Sequence, residues 1–255
     1  MRTRRLGAFF LTVLIYAEYL VFSVVFILPA ALVTTLSAVL LSHRTALRLT
    51  RCFIRWYGIL SSALAFPWIR IEVENRSNVP TGDPCMFIAN HQSIADIFLM
   101  ARLPKQECVF ISNRWPFRIP VLGLIARVAG YLSIQTMKPA DLCDKAAKLF
   151  SGGVSIISFP EGTRTRTGAL GAFHTTVFKV ALHCGVPIVP VCIAGNREIM
   201  GPGSRTIRPG TARMHILPAI SPAAYKGITP HQLKRNTREL IACELALMEG
   251  GYPCG

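Results

Sequence analysis

The sequence predicts an α/β domain with a mostly parallel sheet flanked by helices, preceded by a membrane-anchoring helix or helical hairpin. Two observations predict this fold. Short apolar runs typical of buried strands alternate with helical segments, which is the pattern of a parallel sheet. An apolar block longer than any soluble core helix needs precedes them. We therefore divide the chain into an anchor with a basic amphipathic segment, residues 1–60, and the α/β domain, residues 61–255.

The amino-terminal block, residues 6–41, contains one ionisable residue, Glu18. As a helix this block would be roughly 54 Å long, whereas the hydrocarbon layer of a bilayer is about 30 Å thick. Pro29 leaves two alternatives, one tilted or kinked spanning helix or two shorter helices forming a hairpin within one leaflet. Arginines flank both ends of the block, so the positive-inside rule favours the hairpin with both ends on the cytoplasmic side.

The second group of arginines, residues 44–55, is interleaved with apolar side chains and predicts an amphipathic helix at the level of the lipid headgroups. In the α/β domain, alternating or continuous apolar runs predict strands at 69–73, 85–89, 108–112, 131–134, 154–159, 187–193 and 212–217. Helical spacing, with glycines after several segments, predicts helices at 94–103, 120–129, 139–150, 177–183 and from 229 or 230 to 248.

The chain has 255 residues and a formal net charge of +15, from 28 Lys and Arg against 13 Asp and Glu. A hydrophobic content of 51% excludes intrinsic disorder. Only 16% of the residues are charged, so the chain is basic yet poor in charge. This combination favours an anionic membrane surface or anionic substrates at least as much as nucleic acid. The eight cysteines lack the spacing of a zinc site, and we expect no metal.

The first candidate for chemistry is the segment NHQSIAD, Asn90 to Asp96, which leaves the end of a predicted strand. His91 stands at that end, and Asp96 lies five residues on at the start of a helix. A strand–loop–helix turn can fold the carboxylate back onto the imidazole. Asp96 would fix the tautomer of His91 and leave the other ring nitrogen as a base for a substrate hydroxyl.

The second candidate is FPEGTRTR, Phe159 to Arg166, which also follows a predicted buried strand. Gly162 permits an unusual backbone turn. The residues after it offer a hydroxyl group, guanidinium groups and backbone N–H groups, a set of donors that suits a phosphate. These donors belong to Thr163, Arg164 and Arg166. We expect Glu161 to orient them or the substrate hydroxyl.

Together, NHxxxxD and FPEGTR some 70 residues later resemble the glycerophospholipid acyltransferase family, and within it the lysophosphatidic acid acyltransferases. Two further blocks are similar to that family, RIPVLG at Arg118–Gly123 and VPIVPV at Val186–Val191. The resemblance covers residues 68–218 in the right order. It implies a glycerol-3-phosphate acyltransferase-like fold, with residues 61–255 as the catalytic domain.

The resemblance also implies a mechanism. An acyl thioester of coenzyme A or acyl carrier protein is the co-substrate, with no other cofactor. His91, supported by Asp96, deprotonates the acceptor hydroxyl, and the alkoxide attacks the thioester directly, without an acyl-enzyme. The expected reaction converts 1-acyl-sn-glycerol 3-phosphate to phosphatidic acid in phospholipid biosynthesis. The implied substrate-binding residues are Asn90, Glu161, Gly162, Thr163, Arg164 and Arg166, with Arg164 as the phosphate contact.

The implied partners are the lipid bilayer, the lysophospholipid and the acyl donor, but no nucleic acid, and the catalytic domain is expected on the cytoplasmic face. The sequence departs from the family pattern at Gln135 and at His174–Thr176, where the family carries basic residues. Another acceptor, such as a phosphate-free lyso-lipid, therefore stays open as an alternative. A more remote alternative is a non-catalytic basic protein that binds membranes or nucleic acid, although no nucleic-acid motif is present.

Overall fold

The computed structural model describes residues 2–165 and 168–251 of the chain. Its helices are α1 (Arg2–Leu40), α2 (His43–Leu64), α3 (Asp96–Met100), α4 (Pro120–Ala129), α5 (Pro139–Ser151), α6 (Thr176–Cys184), α7 (Asn196–Met200) and α8 (Pro230–Met248). Its strands are β1 (Ile69–Glu74), β2 (Met86–Ala89), β3 (Cys108–Ser112), β4 (Leu132–Ser133), β5 (Ser155–Ser158), β6 (Ile188–Ala194) and β7 (Gly210–Ile216). Short 3₁₀ helices lie at Arg76–Asn78, Trp115–Arg118 and Ala223–Tyr225.

The seven strands form one sheet in the order β1-β7-β6-β2-β5-β3-β4. All neighbouring strands are parallel except β6 and β7. The predicted α/β fold with a mostly parallel sheet is therefore confirmed. Because β6, β2, β5, β3 and β4 run in the same direction, their carboxyl ends meet at one edge of the sheet.

Both faces of the sheet are covered, which explains why its central strands read as continuous apolar runs. In β2, Met86 and Ile88 belong to a core shared with α5, α6 and α8, while Phe87 belongs to a core on the opposite face. All three side chains are fully buried. Burying each side chain stabilises the folded protein by at most about 1.5–3 kcal/mol, so β2 fixes the position of the residues that follow it.

The apolar block folds as the single continuous helix α1, which passes through Pro29 without interruption. Two shorter helices within the block, one of the two predicted alternatives, are therefore not observed. The segment Gly7–Leu40 is long and apolar enough to cross a membrane, and only 6% of its most apolar window is buried. Near its start, Ile15 packs into the core and Thr12 Oγ1 accepts the Ile207 N–H at 2.9 Å, so the α/β domain holds α1 at this end.

The partner of α1 is α2, which begins at the N-cap Ser42, whose hydroxyl accepts the Thr45 N–H. The two helices pack through Tyr57 of α2, whose ring lies 5.5 Å from that of Phe22 and whose hydroxyl is 2.8 Å from Ser23 Oγ. The predicted basic amphipathic helix is thus present as one arm of a helical hairpin. It continues to Leu64, beyond the boundary predicted after residue 60.

The expectation that arginines 44–55 meet lipid headgroups is wrong for Arg51. This side chain is only 8% exposed and donates to the Ala129 carbonyl at 3.0 Å and to Glu107 at 3.1 Å. Arg48 binds the other oxygen of Glu107 at 2.9 Å. These contacts attach α2 to the α/β domain. The N–H donors of Arg51, which we expected to bind lipid phosphates, are satisfied instead by a carboxylate and a carbonyl of the protein.

Two helices differ from the sequence prediction. The helix expected over 94–103 is regular only over Asp96–Met100, and its preceding residues form the tight turn that carries His91. Helix α7 was not predicted, because a single helical turn after Gly195 is too short to show an apolar period. Both short helices follow parallel strands, at the edge of the sheet where the polar residues gather.

Candidate active site

Four adjacent parallel strands end in polar residues at one edge of the sheet. In spatial order these strands are β6, β2, β5 and β3. The residues that follow them are, in the same order, Asn196 after Gly195, His91 after Asn90, Glu161 after Phe159 and Pro160, and Asn113. In parallel α/β domains the crevice beyond such strand ends is where ligands bind. Since β2 pairs with β5, the two predicted motifs lie side by side.

The structure brings His91 and Asp96 together as predicted. His91 Nδ1 lies 2.8 Å from Asp96 Oδ2, because α3 begins at Asp96 and the turn before it folds back onto the imidazole. The side chain of Asp96 is fully buried, whereas that of His91 is 18% exposed and lines a cavity of about 1950 Å³, the main cavity. Within residues 2–165 and 168–251, no hydrogen bond engages His91 Nε2.

Asp96 is surrounded by hydrogen-bond donors. Its Oδ2 accepts the backbone N–H groups of Gln92 at 2.7 Å and Ser93 at 2.9 Å, and the same oxygen faces His91 Nδ1. Its Oδ1 accepts the side-chain amide of Asn196 at 2.7 Å. The two backbone N–H groups and the Asn196 amide are donors whatever the tautomer of His91, so Asp96 is the hydrogen-bond acceptor at this position. We therefore assign the imidazole proton to Nδ1, which leaves Nε2 of the neutral ring as the base.

The residues that follow β5 hold His91 from the other side. Its ring stacks on Phe159, with centroids 4.2 Å apart and an interplanar angle of 16°. Its backbone N–H donates to Glu161 Oε1 at 2.8 Å, and its carbonyl accepts the Thr165 N–H at 3.0 Å. The second motif therefore positions the backbone and ring of the first, as well as contributing its own side chains to the cavity.

Glu161 connects three segments of the chain. Besides the His91 N–H, it accepts the Gly171 N–H at Oε2, at 2.8 Å. A Cβ added to Gly171 would lie 2.6 Å from this oxygen, so a larger residue at this position would have to displace the carboxylate. Burial raises the pKa of Glu161 above its ordinary value, and the two backbone N–H groups oppose that rise. Its observed partners are the backbone N–H groups of His91 and Gly171, so both roles predicted for Glu161 stay predictions.

The remainder of the second motif is open to the cavity. Gly162 adopts a φ of +68°, and its carbonyl accepts the Asn113 side chain at 2.6 Å. Thr163 is exposed, Arg164 is half-buried, and both line the main cavity. No hydrogen bond or ion pair to another described residue holds the Arg164 guanidinium. Arg166 lies outside the described residues, so its predicted role stays a prediction.

Asn90 is placed differently from the other predicted substrate-binding residues. Its amide nitrogen donates to the Ile193 carbonyl at 2.8 Å, and its amide oxygen accepts the Ile193 N–H at 2.7 Å. The side chain is only 2% exposed. These contacts join the end of β2 to β6. They assign Asn90 a structural task, and its predicted substrate contact stays a prediction without support from this geometry.

Sequence reasoning missed three residues of the site. Asn196 donates to Asp96, and Asn113 donates to the backbone of Gly162. Asn113 directly follows an apolar strand, and Asn196 stands one residue further from the end of another. This is the signal that identified His91, but a neutral amide carries no titratable group to single it out. His174 also lines the cavity, with ring atoms 3.3 Å from the position of a Cβ on Gly162. Its only signal was a departure from the family pattern.

The main cavity has a volume of about 1950 Å³ and extends from His91 to the helical hairpin. At one end it is lined by His91, Thr163 and Arg164. Elsewhere its lining is largely apolar and includes residues of α1, α2 and α4, among them Phe26, Ala30, Phe53, Ile54 and Leu122. A cavity of this shape can hold long hydrocarbon chains in the apolar part and a polar group beside the imidazole.

The arrangement supplies three chemical functions. The unprotonated Nε2 can take a proton from a hydroxyl group, and the buried carboxylate stabilises the imidazolium that forms. The Arg164 guanidinium and the Thr163 hydroxyl can bind an anionic group next to it. The apolar part of the cavity can hold the tail of an amphiphile and exclude water from the reacting atoms.

Comparisons with known proteins agree with this geometry. A family model described as Acyltransferase matches residues 70–194. A chloroplastic 1-acyl-sn-glycerol-3-phosphate acyltransferase of Brassica napus is 35% identical over 58% of this chain and 44% of its own length. The human 1-acyl-sn-glycerol-3-phosphate acyltransferase alpha is 29% identical over 64% of this chain and 58% of its own length. The chain therefore spans about half the length of the curated relatives it matches.

One solved structure has the same fold along nearly the whole chain. It is the crystal structure of the 1-acyl-sn-glycerophosphate (LPA) acyltransferase PlsC from Thermotoga maritima, with a TM-score of 0.80 and 23% sequence identity. The match covers 98% of this chain and 100% of that one. The helical hairpin is thus part of the shared architecture along with the sheet.

Proposed function

We propose that the protein transfers a fatty acyl group from an acyl thioester to 1-acyl-sn-glycerol 3-phosphate, and the match of residues 70–194 to the Acyltransferase family model supports this type of reaction. The product is phosphatidic acid, which places the reaction in phospholipid biosynthesis. The observation that carries the proposal is the pair of His91 and Asp96, 2.8 Å apart, at the polar end of a large apolar cavity. The relatives named for the same reaction support the choice of acceptor.

The first step is deprotonation of the acceptor. The free hydroxyl of the glycerol backbone gives its proton to His91 Nε2 while its oxygen attacks the thioester carbonyl carbon. Asp96 keeps the proton of the neutral ring on Nδ1 and stabilises the imidazolium, as the carboxylate does in a catalytic triad. Here the substrate supplies the nucleophile, so no residue of the protein is acylated.

The second step is collapse of the tetrahedral intermediate. The C–S bond breaks as the new ester bond is completed, and the imidazolium of His91 returns its proton to the departing thiolate. Atoms and charge balance without an oxidant, a metal or a resident cofactor. Stacking on Phe159, together with the backbone contacts to Glu161 and Thr165, keeps the ring in place for both transfers.

The acceptor phosphate is assigned to the loop after β5. Arg164 lines the cavity beside His91 without a protein partner among the described residues, so its guanidinium is available for a bidentate contact with a phosphate. The exposed Thr163 adds a hydroxyl group. We assign Arg166 to the same task on its position in the motif alone.

The hydrocarbon chains are assigned to the apolar part of the cavity, which reaches α1 and α2. Since α1 is long and apolar enough to cross a membrane, lipid substrates can enter from the bilayer without passing through water. The flanking arginines and the positive-inside rule support a cytoplasmic position of the catalytic domain. The donor is an acyl thioester of coenzyme A or of acyl carrier protein.

A second candidate keeps the chemistry but changes the acceptor to a lyso-lipid with another head group. The observation that favours it is the presence of Gln135 and His174 in the cavity lining, where the family resemblance leads one to expect basic residues. Fewer fixed positive charges near Arg164 weaken the selection for a phosphate.

The test is a panel of acceptors and donors with purified protein in detergent micelles. Lysophosphatidate, glycerol 3-phosphate and a phosphate-free lyso-lipid are each offered with acyl-coenzyme A and with acyl carrier protein. We expect the highest kcat/KM with lysophosphatidate, and a loss of at least about 10³-fold in His91→Ala. Normal turnover by a folded His91→Ala protein would refute the mechanism, and a preference for the phosphate-free acceptor would select the second candidate.

A further inference from the structure

A second cavity, of about 630 Å³, lies beyond β4, the last strand of the sheet. It is formed by the 3₁₀ helix Trp115–Arg118 with the residue before it, and by residues of α4, β4 and α5. Tyr131 lines both this cavity and the main one. The two cavities therefore share a wall. We call the second one the basic pocket.

The lining of the basic pocket is strongly cationic. Arg114, Arg118, Arg127 and Lys145 line it, and no carboxylate does. None of these four side chains forms an ion pair with another residue of the described chain. One N–H of Arg127 donates to the Phe117 carbonyl at 2.8 Å, which places the guanidinium while leaving its other donors unused. Four like charges around one concavity are an unfavourable arrangement until an anion occupies it.

Two further features indicate a ligand that carries hydrogen-bonding groups and an aromatic ring in addition to negative charge. Ser133 lines the basic pocket, is only 5% exposed, and its Oγ has no hydrogen-bond partner among the described residues. A buried hydroxyl without a partner is costly unless a bound group satisfies it. Phe117 and Tyr131 place two aromatic rings in the same lining, and aromatic rings stack on nucleic-acid bases.

We propose that the basic pocket binds the nucleotide of coenzyme A, adenosine 3′-phosphate 5′-diphosphate, during acyl transfer. This inference rests on the proposed function, because it concerns the donor of that reaction. The cations hold the phosphate groups, the aromatic side chains contact the adenine, and the hydroxyl groups of Ser133 and Thr136 satisfy polar atoms of the ribose and phosphates.

The two cavities meet at Tyr131, so a donor that lies past this side chain can place one part in each. Acyl-coenzyme A carries an apolar chain at one end, three phosphate groups at the other and a thioester in between. The apolar main cavity takes the chain, and the basic pocket takes the phosphates. A volume of about 630 Å³ falls within the ordinary range for small-molecule sites, whereas a carrier protein needs a broad surface.

The first experiment measures binding without catalysis. Coenzyme A and adenosine 3′,5′-bisphosphate are titrated calorimetrically into the wild type and into the double variant Arg118→Gln/Lys145→Gln. The control for the Lys145 change is Lys148→Gln, which removes one positive charge from the same helix, about one turn away and outside the lining. We expect Kd to rise at least about tenfold in the double variant, the equivalent of one lost charge-assisted hydrogen bond, and less than about twofold in the control.

The second experiment compares donors that differ only in the nucleotide. The KM for palmitoyl-coenzyme A should rise at least about tenfold in the double variant with little change in kcat, and the KM for S-palmitoyl-pantetheine should not change. Equal affinity of the wild type and the double variant for coenzyme A would overturn the proposal. A wild type that binds coenzyme A through the pocket but transfers no acyl group would refute the proposed function and leave the binding site standing.

Two further arms identify other sources of phosphate. If the double variant raises the KM for lysophosphatidate but binds coenzyme A normally, the pocket belongs to the acceptor and the proposal is wrong. If it loses binding to phosphatidylglycerol vesicles with coenzyme A affinity intact, the pocket binds headgroups, and the proposal is equally wrong. Far-ultraviolet circular dichroism and thermal melting of all variants check that they are folded.

Discussion

The two turns that form the site, after β2 and after β5, differ in how completely the protein holds them. The turn that carries His91 and Asp96 is buried, and its carboxylate accepts four hydrogen bonds. The turn from Glu161 to Arg164 is held at its start, where Glu161 accepts two backbone N–H groups, and then opens into the cavity. One turn is fixed by the fold, and half of the other is left for a ligand.

This difference corresponds to two chemical tasks. Proton transfer depends on sub-ångström placement of a base, so its groups must be positioned before substrate arrives. Recognition of a phosphate on a flexible lipid depends on long charged side chains that can adjust. The predictions below separate the tasks, because damage to the first turn should lower kcat and stability, and damage to the second should raise KM.

The largest expected effect comes from Asp96→Asn. The amide would present N–H groups to donors and favour the wrong tautomer of His91, so we expect kcat to fall by about 10³-fold or more. The new side-chain N–H would also face the backbone N–H groups that now donate to Asp96. This unsatisfied contact should lower the free energy of unfolding by about 1–3 kcal/mol. Acyl-transfer assays and urea unfolding in micelles measure both quantities. The exposed Asp83→Asn is the control, and a variant with unimpaired kcat would show that Asp96 does not support the base.

The next largest effect is expected for Asn196→Ala, which removes the donor to Asp96 Oδ1. The carboxylate would keep its three other donors, so we expect kcat to fall on the order of tenfold and stability by about 1–2 kcal/mol. Asn113→Ala is the matched comparison, because it removes an amide that holds the backbone of Gly162 in the other turn. If both variants change kcat and stability equally, the contrast between the turns is wrong.

The rigid turn also shows how far the sequence could predict the site. Strand-end placement and the five-residue spacing were enough to pair His91 with Asp96, because the turn is local and its geometry is set by the strand and the helix. Asn196 could not be paired with Asp96 in this way. The two residues are 100 positions apart in the chain, and only the neighbouring places of β2 and β6 in the sheet bring them together.

The helical hairpin shows the corresponding limit for the fold. Hydropathy identified the apolar block, and the flanking charges identified a basic helix after it. They left open whether α1 would continue through Pro29, and neither indicated that Arg51 would point into the protein. Arg51 is held inside the protein by Glu107, 56 residues away, and no local sequence pattern predicts such a contact.

A smaller effect, confined to binding, is expected for Arg164→Ala. The KM for lysophosphatidate should rise about tenfold with kcat nearly unchanged, since one charge-assisted contact to phosphate is lost. Stability should stay within about 0.5 kcal/mol, because no described residue pairs with this guanidinium. Arg164→Lys should restore part of the affinity for lysophosphatidate, and the KM for a phosphate-free acceptor should change in neither variant. An unchanged KM for lysophosphatidate would remove the phosphate role from Arg164.

The smallest effect concerns Glu161, which joins the two turns. Burial raises its pKa above the ordinary value of 4.5, so between the two values the folded protein binds more protons than the unfolded one. The contribution of Glu161 to stability therefore falls as pH rises through this window and is level on either side. Glu161→Gln has no such titration. The unfolding free energy of the wild type minus that of the variant, measured by urea unfolding in micelles, should decrease across this window. A difference that increases with pH would mean that the two N–H groups outweigh burial in setting the pKa of Glu161.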